Sequence, residues 1–261
     1  MNKCLLAFKQ VIVAWCLFGV FSVSAAVHVT YLPADSKNDA HAKQAIVDSE
    51  INSLIIELAK EHFPFKNNLT IQYGGEEGPL YDPEIHTVLI PYSFYTEAFN
   101  YFKKNNYEDK FSRTAELGAI DTILHTLLHE TGHAYIEDQA IPVLGKEEDA
   151  VDNFAAIIMI EYVDNGDDST ISAADMFAFE SQDRPDYYQA DEYIDEHSFD
   201  LQRYFSTLCL VYGSNPEKYA ELLDEIEPEQ LIERKEFCVY HFQTISKNWH
   251  HYLTSENASY F

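Results

Sequence analysis

The stretch that most constrains the fold of this chain is LHTLLHETGHAY, residues 124–135. It places His125, His129 and His133 at four-residue intervals, and four residues are slightly more than one helical turn. All three imidazoles are therefore expected along one stripe of a helix. Apolar residues recur at helical spacing beside this stripe, which predicts a long helix that is capped by Ser112 and ends near residue 137.

The rest of the chain predicts a single α+β domain that is mostly helical. The 261 residues are 46% hydrophobic, which is enough for one sizeable core. Two short strands are expected, at residues 68–73 and 86–94, with the second at the edge of a sheet. Further helices are expected over residues 41–62, 147–163, 198–212, 216–226 and 228–250, while the acidic stretch 164–175 is typical of a solvated loop.

The first 26 residues have the pattern of a signal peptide. Lys3 and Lys9 precede an apolar run that is too short to span a bilayer, and Ala26 closes a group of small residues suited to cleavage. A retained membrane anchor is the alternative. The domain is thus expected to occupy residues 27–261, to be exported to the periplasm or out of the cell, and to have no membrane span after cleavage.

Charge and cysteine content restrict the partners and the compartment. The formal net charge of −27 repels phosphate backbones, so a nucleic-acid partner is not expected. Signal cleavage would leave only Cys209 and Cys238, which are expected to form a disulfide in an exported chain. Two buried free thiols are the alternative. The sequence leaves the oligomeric state open.

Only one pair of the three histidines encloses a glutamate in the pattern His-Glu-x-x-His. A helix directs His129 and His133 toward one metal ion, a pattern typical of zinc. Glu130 is offset by about 100° and is expected beside the ion, where a general base is needed. His125 lies outside this pattern and is expected to be a supporting or partly exposed residue.

A hydrolytic zinc site also needs a third protein ligand and a position left open for water. A third histidine is excluded, because isoleucine and glutamine stand where the extended motif has its glycine and histidine. The acidic helix start GKEEDAVDNFA favours Glu148 as the ligand. Asp152, one turn later, is expected to accept a hydrogen bond from a ligand histidine. Glu147, Asp149 and Asp152 itself remain alternative ligands.

The two motifs together resemble the gluzincin metallopeptidases, in which His-Glu-x-x-His on one helix is followed by Glu-x-x-x-Asp on the next. More closely, HETGHAYIEDQAIPVLGKEEDAVDNFA is similar to the core of a bacterial exported family, a domain of unknown function described as putative metallopeptidase. YDPE, DEHSFDLQR and CLVYG extend the resemblance over most of the chain. It implies a zincin-like fold, with a small edge sheet on the active-site helix, then a glutamate-bearing helix and a helical C-terminal region.

The resemblance further implies a zinc-dependent peptidase that acts on peptide or protein substrates. Zn²⁺ would be held by His129, His133 and Glu148, and Glu130 would act as general base on a zinc-activated water. The strand at residues 87–91 would border the cleft, where an extended peptide could add to it. The alternative is a non-catalytic zinc-binding or interaction protein on the same scaffold, although the presence of Glu130 favours an enzyme.

A peptidase of this kind also needs a donor for the oxyanion of its tetrahedral intermediate. The segment DEHSFDLQR favours His197 for this role, with Arg203 and the nearby Tyr193 as further candidates. The alternative is that His197 and Arg203 are structural. In that case Arg203 is expected to pair with an acid of its own segment, namely Asp195, Glu196 or Asp200.

Overall fold

The computed structural model describes residues 25–184 and 188–253. Within them the chain is α+β and mostly helical, which confirms the predicted fold class. The elements follow in the order β1 (Val27–Tyr31), α1 (Lys37–Asp48), α2 (Ile51–Glu61), β2 (Leu69–Tyr73), β3 (Leu80–Asp82), β4 (Thr87–Ile90), α3 (Tyr92–Lys104), α4 (Tyr107–Phe111), α5 (Ala115–Gln139), α6 (Glu147–Tyr162), α7 (Gly166–Gln182), α8 (Ala190–Tyr193), α9 (Asp200–Ser214) and α10 (Pro228–His250).

The four strands form one sheet in the order β1-β2-β4-β3. β1, β2 and β4 run parallel, and β3 pairs with β4 in the antiparallel direction, with Tyr81 opposite Val88. The expectation that the strand at residues 87–91 forms the edge is therefore wrong, because β3 covers it. β3 has only three residues and lies in a turn-rich stretch, so it is too short to show an alternating pattern.

α5 is the central helix of the molecule. It begins after Thr114, whose side chain accepts a hydrogen bond from the main-chain N–H of Leu117, and it ends at Ala140 in the left-handed conformation. The predicted cap Ser112 instead ends the short helix α4. α5 is buried on almost every side because it packs against the sheet, α3, α6 and α7.

Four predicted segments differ from the structure. The strand expected over residues 86–94 ends at Ile90, because Pro91 is the N-cap of α3. The helix expected over residues 41–62 is broken in two by Glu50, which has a φ of 60°. The acidic stretch 164–175 is mostly helical, because its acids occupy the first turn of α7, where they complement the helix dipole. Residues 216–226 form successive turns rather than a helix. The helices expected over residues 147–163, 198–212 and 228–250 are present as α6, α9 and α10.

A second hydrophobic cluster lies between α7, α9 and α10, apart from the main core around α5. A disulfide between Cys209 of α9 and Cys238 of α10 lies within this cluster, which confirms the predicted pair. Both cysteines are buried. The bond therefore holds the C-terminal helix against the helix that leads back to the candidate site.

The predicted signal peptide, residues 1–26, falls outside the described residues except for its last two. Its cleavage and the domain bounds derived from it remain predictions. None of the helices in the described part of the chain is long and apolar enough to cross a membrane.

Candidate metal centre

Two histidines of α5 and one glutamate of α6 meet in the structure. The Nε2 atom of His129 lies 3.0 Å from Oε2 of Glu148, and Nε2 of His133 lies 3.4 Å from Oε1 of the same carboxylate. The ligand atoms of all three side chains lie within 4.8 Å of one another, and no other group of this kind occurs among the described residues. Donors on a tetrahedral zinc ion, bonded at about 2.0–2.1 Å, stand about 3.3–3.4 Å apart, so this group fits such an ion.

The two helices can bring these groups together because they approach closely at Gly132. A Cβ atom added to Gly132 would lie 3.0 Å from Cδ1 of Phe154 and 3.1 Å from Cγ1 of Val151, both in buried side chains of α6. A glycine inside a helix costs about 1 kcal/mol relative to alanine. The close approach of α6 to the backbone of α5 explains its presence here.

Asp152 lies behind His129 and also binds an arginine. Its Oδ1 atom is 2.7 Å from Nδ1 of His129, and both of its oxygens accept hydrogen bonds from Arg203 at 2.7 Å. Burial raises the pKa of Asp152, but the charge of Arg203 and the hydrogen bond with His129 hold it well below its usual range. Arg203 therefore binds an acid of α6, and the predicted pairing with an acid of its own segment is wrong. Arg203 does not line the cleft, so it is not placed to donate to an oxyanion there.

His129 is almost fully buried, and it lies between the carboxylates of Asp152 and Glu148. Burial by itself lowers the pKa of His129, but the hydrogen bonds with Asp152 and Glu148 raise it to about 9. Burial likewise raises the pKa of Glu148, and hydrogen bonds with His129, His133 and His197 bring it far below its usual range. The carboxylates therefore stabilise positive charge at the centre, which a divalent cation can supply in place of the proton on His129.

The other two acids of the helix start have separate partners. Glu147 places its Oε1 atom 2.8 Å from Nδ1 of His133, and Asp149 accepts a hydrogen bond of 2.7 Å from the hydroxyl of Ser198. Neither belongs to the group around Glu148. The contact of Glu147 was not predicted from the sequence. Its position directly before Glu148, with a second histidine in need of a partner, is the signal that could have revealed it.

Glu130 lies beside this centre and is 8% exposed. The main-chain N–H of Tyr81 in β3 lies close enough to the carboxyl group of Glu130 to lower its pKa. Burial raises the pKa of Glu130, and the neighbouring imidazoles of His129 and His133 oppose this effect. A raised pKa makes this carboxyl group a stronger base than a free glutamate, which suits a residue that must take up a proton.

The centre opens into a cleft with a volume of about 740 Å³. One wall is the edge strand β3 with its flanking prolines, and the opposite wall is the start of α6 together with His197. Its lining comprises Pro79, Leu80, Tyr81, Pro83, His129, Glu130, His133, Ile136, Glu137, Ala140, Ile141, Glu147, Glu148 and His197. An extended chain can therefore pass between the strand and the candidate metal-binding group.

His197 reaches the same group from the loop before α9. Its Nε2 atom is 2.9 Å from Oε2 of Glu148, and its Nδ1 atom is 3.3 Å from Oδ1 of Asp195. The ammonium group of Lys146 binds the main-chain oxygens of Asp195 and His197, which fastens this loop to the start of α6. Tyr193 is largely exposed and packs against Phe199, so it does not line the cleft.

His125 is separate from the centre although it shares the helix stripe. It is 2% exposed, its ring packs against Phe177, and it is not one of the three grouped side chains. Of the two predicted alternatives, a partly exposed residue is wrong, and a supporting role remains a prediction. Burial lowers the pKa of His125 to about 4, so the ring is neutral at physiological pH.

Fold and site together define an α+β protein with a two-histidine, one-glutamate group at the base of a cleft. Residues 31–253 match a family described as putative metallopeptidase, and the chain therefore belongs to that family. This membership supports a peptidase function and implies peptide or protein substrates. Comparison with curated proteins and with solved structures gave no match.

Proposed function

We propose that this protein is an exported zinc-dependent peptidase that cleaves peptide bonds with Glu130 as general base. The observation that carries the proposal is the meeting of His129, His133 and Glu148 directly beside the buried carboxyl group of Glu130. Two imidazoles and one carboxylate are a donor set typical of catalytic zinc, and they leave a fourth position for water.

His129, His133 and Glu148 would hold the ion, and Asp152 would keep His129 in the tautomer that presents Nε2. A bound zinc ion supplies a Lewis acid that polarises the substrate carbonyl and lowers the pKa of water. Arg203 holds Asp152 in turn through two hydrogen bonds, so the direction of the imidazole is fixed from behind.

Glu130 takes a proton from the attacking water and passes it to the amine that leaves when the peptide bond breaks. Its burial supports both steps, since a raised pKa brings the carboxyl group closer to neutral pH. His197 faces the same space and is proposed to donate a hydrogen bond to the oxyanion. The edge strand β3 offers main-chain groups to which an extended substrate can add.

Export is proposed from one feature of the sequence and one of the structure. Residues 1–26 have the pattern of a signal peptide. The disulfide between Cys209 and Cys238 is typical of an oxidising compartment such as the periplasm or the exterior of the cell. The expected site of cleavage, after Ala26, is tested by N-terminal sequencing of the protein recovered from the periplasm or the medium.

The enzymatic proposal is tested by comparing the wild type with Glu130→Gln. We expect both proteins to bind one zinc ion, and only the wild type to hydrolyse a mixed peptide library. Glu233→Gln, the same change at an exposed residue of α10, is the matched control and should retain wild-type turnover. Equal zinc content without hydrolysis in any of the three would overturn the enzymatic proposal and favour a non-catalytic zinc protein. A wild type free of zinc after metal-replete purification would contradict the metal site itself.

A further inference from the structure

Tyr81 of the edge strand forms hydrogen bonds on both sides of its phenol. Its hydroxyl lies 2.6 Å from Oε2 of Glu137, near the end of α5, and 2.6 Å from Nδ1 of His86, in the turn between β3 and β4. A phenol has one proton to donate, and the carboxylate can only accept. Tyr81 therefore donates to Glu137 and accepts from His86, which gives a continuous chain from the turn to the helix.

The main chain of the same residue contacts α5 at a second point. The N–H of Tyr81 lies close enough to the carboxyl group of Glu130 to stabilise its charged form. Glu130 and Glu137 are seven residues apart, which is about 10.5 Å along the helix with a rotation of only about 20°. Both carboxylates thus lie on the face of α5 that lines the cleft, and a single residue of β3 approaches that face at two points.

The strand has little else to fix its position against the helix. β3 is three residues long, pairs on one side only, and Leu80 beside Tyr81 is 37% exposed. Short edge strands open readily, because few hydrogen bonds and few buried contacts hold them. A second contact two helical turns away from Glu130 removes the freedom of the strand to swing about the first one.

We propose that Tyr81 is a positioning residue that fixes β3 on α5 through Glu137 and so orients the carboxyl group of Glu130. This inference rests on the proposed function of Glu130, but the contact itself is a property of the fold. Burial and the neighbouring Glu137 raise the pKa of Tyr81 far above its usual range, so the hydroxyl stays protonated and available as a donor.

Tyr81→Phe removes the hydroxyl and keeps the ring. We expect kcat to fall on the order of tenfold with little change in KM, because a displaced base affects the chemical step more than substrate binding. Glu137→Ala should have the same effect from the helix side, whereas Glu137→Gln keeps an acceptor oxygen and should restore most of the activity. The double variant Tyr81→Phe/Glu137→Ala should be no worse than either single variant. Zinc content should stay at the wild-type level throughout.

A matched control is Tyr135→Phe, which removes the hydroxyl of a tyrosine in α5. That hydroxyl donates to the main-chain oxygen of Tyr252, outside the lining of the cleft. We expect wild-type kcat in this variant. Wild-type kcat in both Tyr81→Phe and Glu137→Ala, or a raised KM with unchanged kcat, would contradict a positioning role.

Hydrogen–deuterium exchange separates this inference from the proposed function. Peptides that cover residues 79–89 should exchange faster in Tyr81→Phe and in Glu137→Ala than in the wild type. The exchange rate of the same peptides should be unchanged in Tyr135→Phe. This result would support the contact of Tyr81 with Glu137 as the one that fixes β3 on α5, even if the wild type hydrolysed no peptide. The absence of hydrolysis would refute only the proposed function. Unchanged exchange in both Tyr81→Phe and Glu137→Ala would overturn the inference that this contact fixes β3, whatever the activity.

Discussion

Asp152 decides the arrangement of the candidate centre at the scale of single residues. It is the shared acceptor of His129 and Arg203, at 2.7 Å from each. The contact with Asp152 fixes which nitrogen of the His129 imidazole faces Glu148. The negative charge of Asp152 also raises the basicity of that nitrogen. Without this charge the histidine would be a weaker ligand and the arginine would lie in the interior without its counter-ion.

Asp152→Asn tests this dependence with almost no change of shape. We expect zinc affinity to fall about 10- to 100-fold, the usual effect of losing a carboxylate behind a ligand histidine. The free energy of unfolding should fall by roughly 3 kcal/mol, because Arg203 keeps a charge that is largely removed from water. Competition with a chelator gives the affinity, and denaturant titration of the zinc-free protein gives the stability.

Asp149→Asn is the matched control for this substitution. Asp149 lies on the same helix, is exposed, and binds only the hydroxyl of Ser198 among the contacts described above. Its variant should keep the zinc affinity within about twofold, since it touches neither histidine. A wild-type dissociation constant in Asp152→Asn would contradict the assigned role.

The sequence predicts only part of this residue network. Contacts that stay within the two motifs follow from helical periodicity, as for Asp152 with His129. The partner of Asp152 on the other side could not be found in this way. Arg203 stands 51 residues away on another helix, and its own segment offers three nearer acids. Only the packing of α9 against α6 selects one of these partners.

At the scale of elements, periodicity predicts the long helices well and the short elements poorly. α6 and α10 were expected within a residue or two of their ends, because buried apolar residues and Pro228 at the helix start mark them. β3 has three residues and no pattern. Residues 164–175, which include the first part of α7, were expected to form a loop because they are acidic, although α7 has a buried face with Ala173, Met176 and Phe177.

The distance between α5 and α6 is the property of these elements that matters most for the site. Gly132→Ala adds a methyl group against Phe154 and Val151, which are fully buried. The gain in helix propensity is about 1 kcal/mol, and overpacking costs about 1–3 kcal/mol. We expect a net loss of about 1 kcal/mol in stability and a several-fold loss of zinc affinity, because α6 carries Glu148 and must move away.

Gly145→Ala supplies the control, since nothing lies within 4 Å of a Cβ atom added there. Gly145 lies in the loop just before α6, so its variant leaves the helix spacing unchanged. Thermal unfolding and chelator competition measure both quantities for the two alanine variants. Unchanged zinc affinity in Gly132→Ala would show that the helix spacing does not control the site.

At the scale of the whole molecule, buried charge makes stability depend on pH. Asp175 of α7 is buried, accepts a hydrogen bond of 2.7 Å from the hydroxyl of Tyr107, and lies in the field of Glu225. Burial raises the pKa of Asp175 from 3.8 to about 6, although the hydrogen bond from Tyr107 opposes this effect. The folded protein therefore keeps a proton that the unfolded chain releases near pH 4.

The sign of the resulting pH dependence follows directly. Between pH 4 and 6 the folded state binds more protons at Asp175 than the unfolded state, so its contribution to the free energy of unfolding decreases as the pH rises. The decrease amounts to about 3 kcal/mol in total and ends above pH 6. Asp175→Asn keeps an acceptor for Tyr107 and cannot titrate. The difference in the free energy of unfolding between this variant and the wild type should therefore change by this amount between pH 4 and 6. Urea titrations of both proteins at half-unit intervals measure it, and parallel curves from pH 4 to 7 would mean that Asp175 has the same pKa in the folded and the unfolded protein.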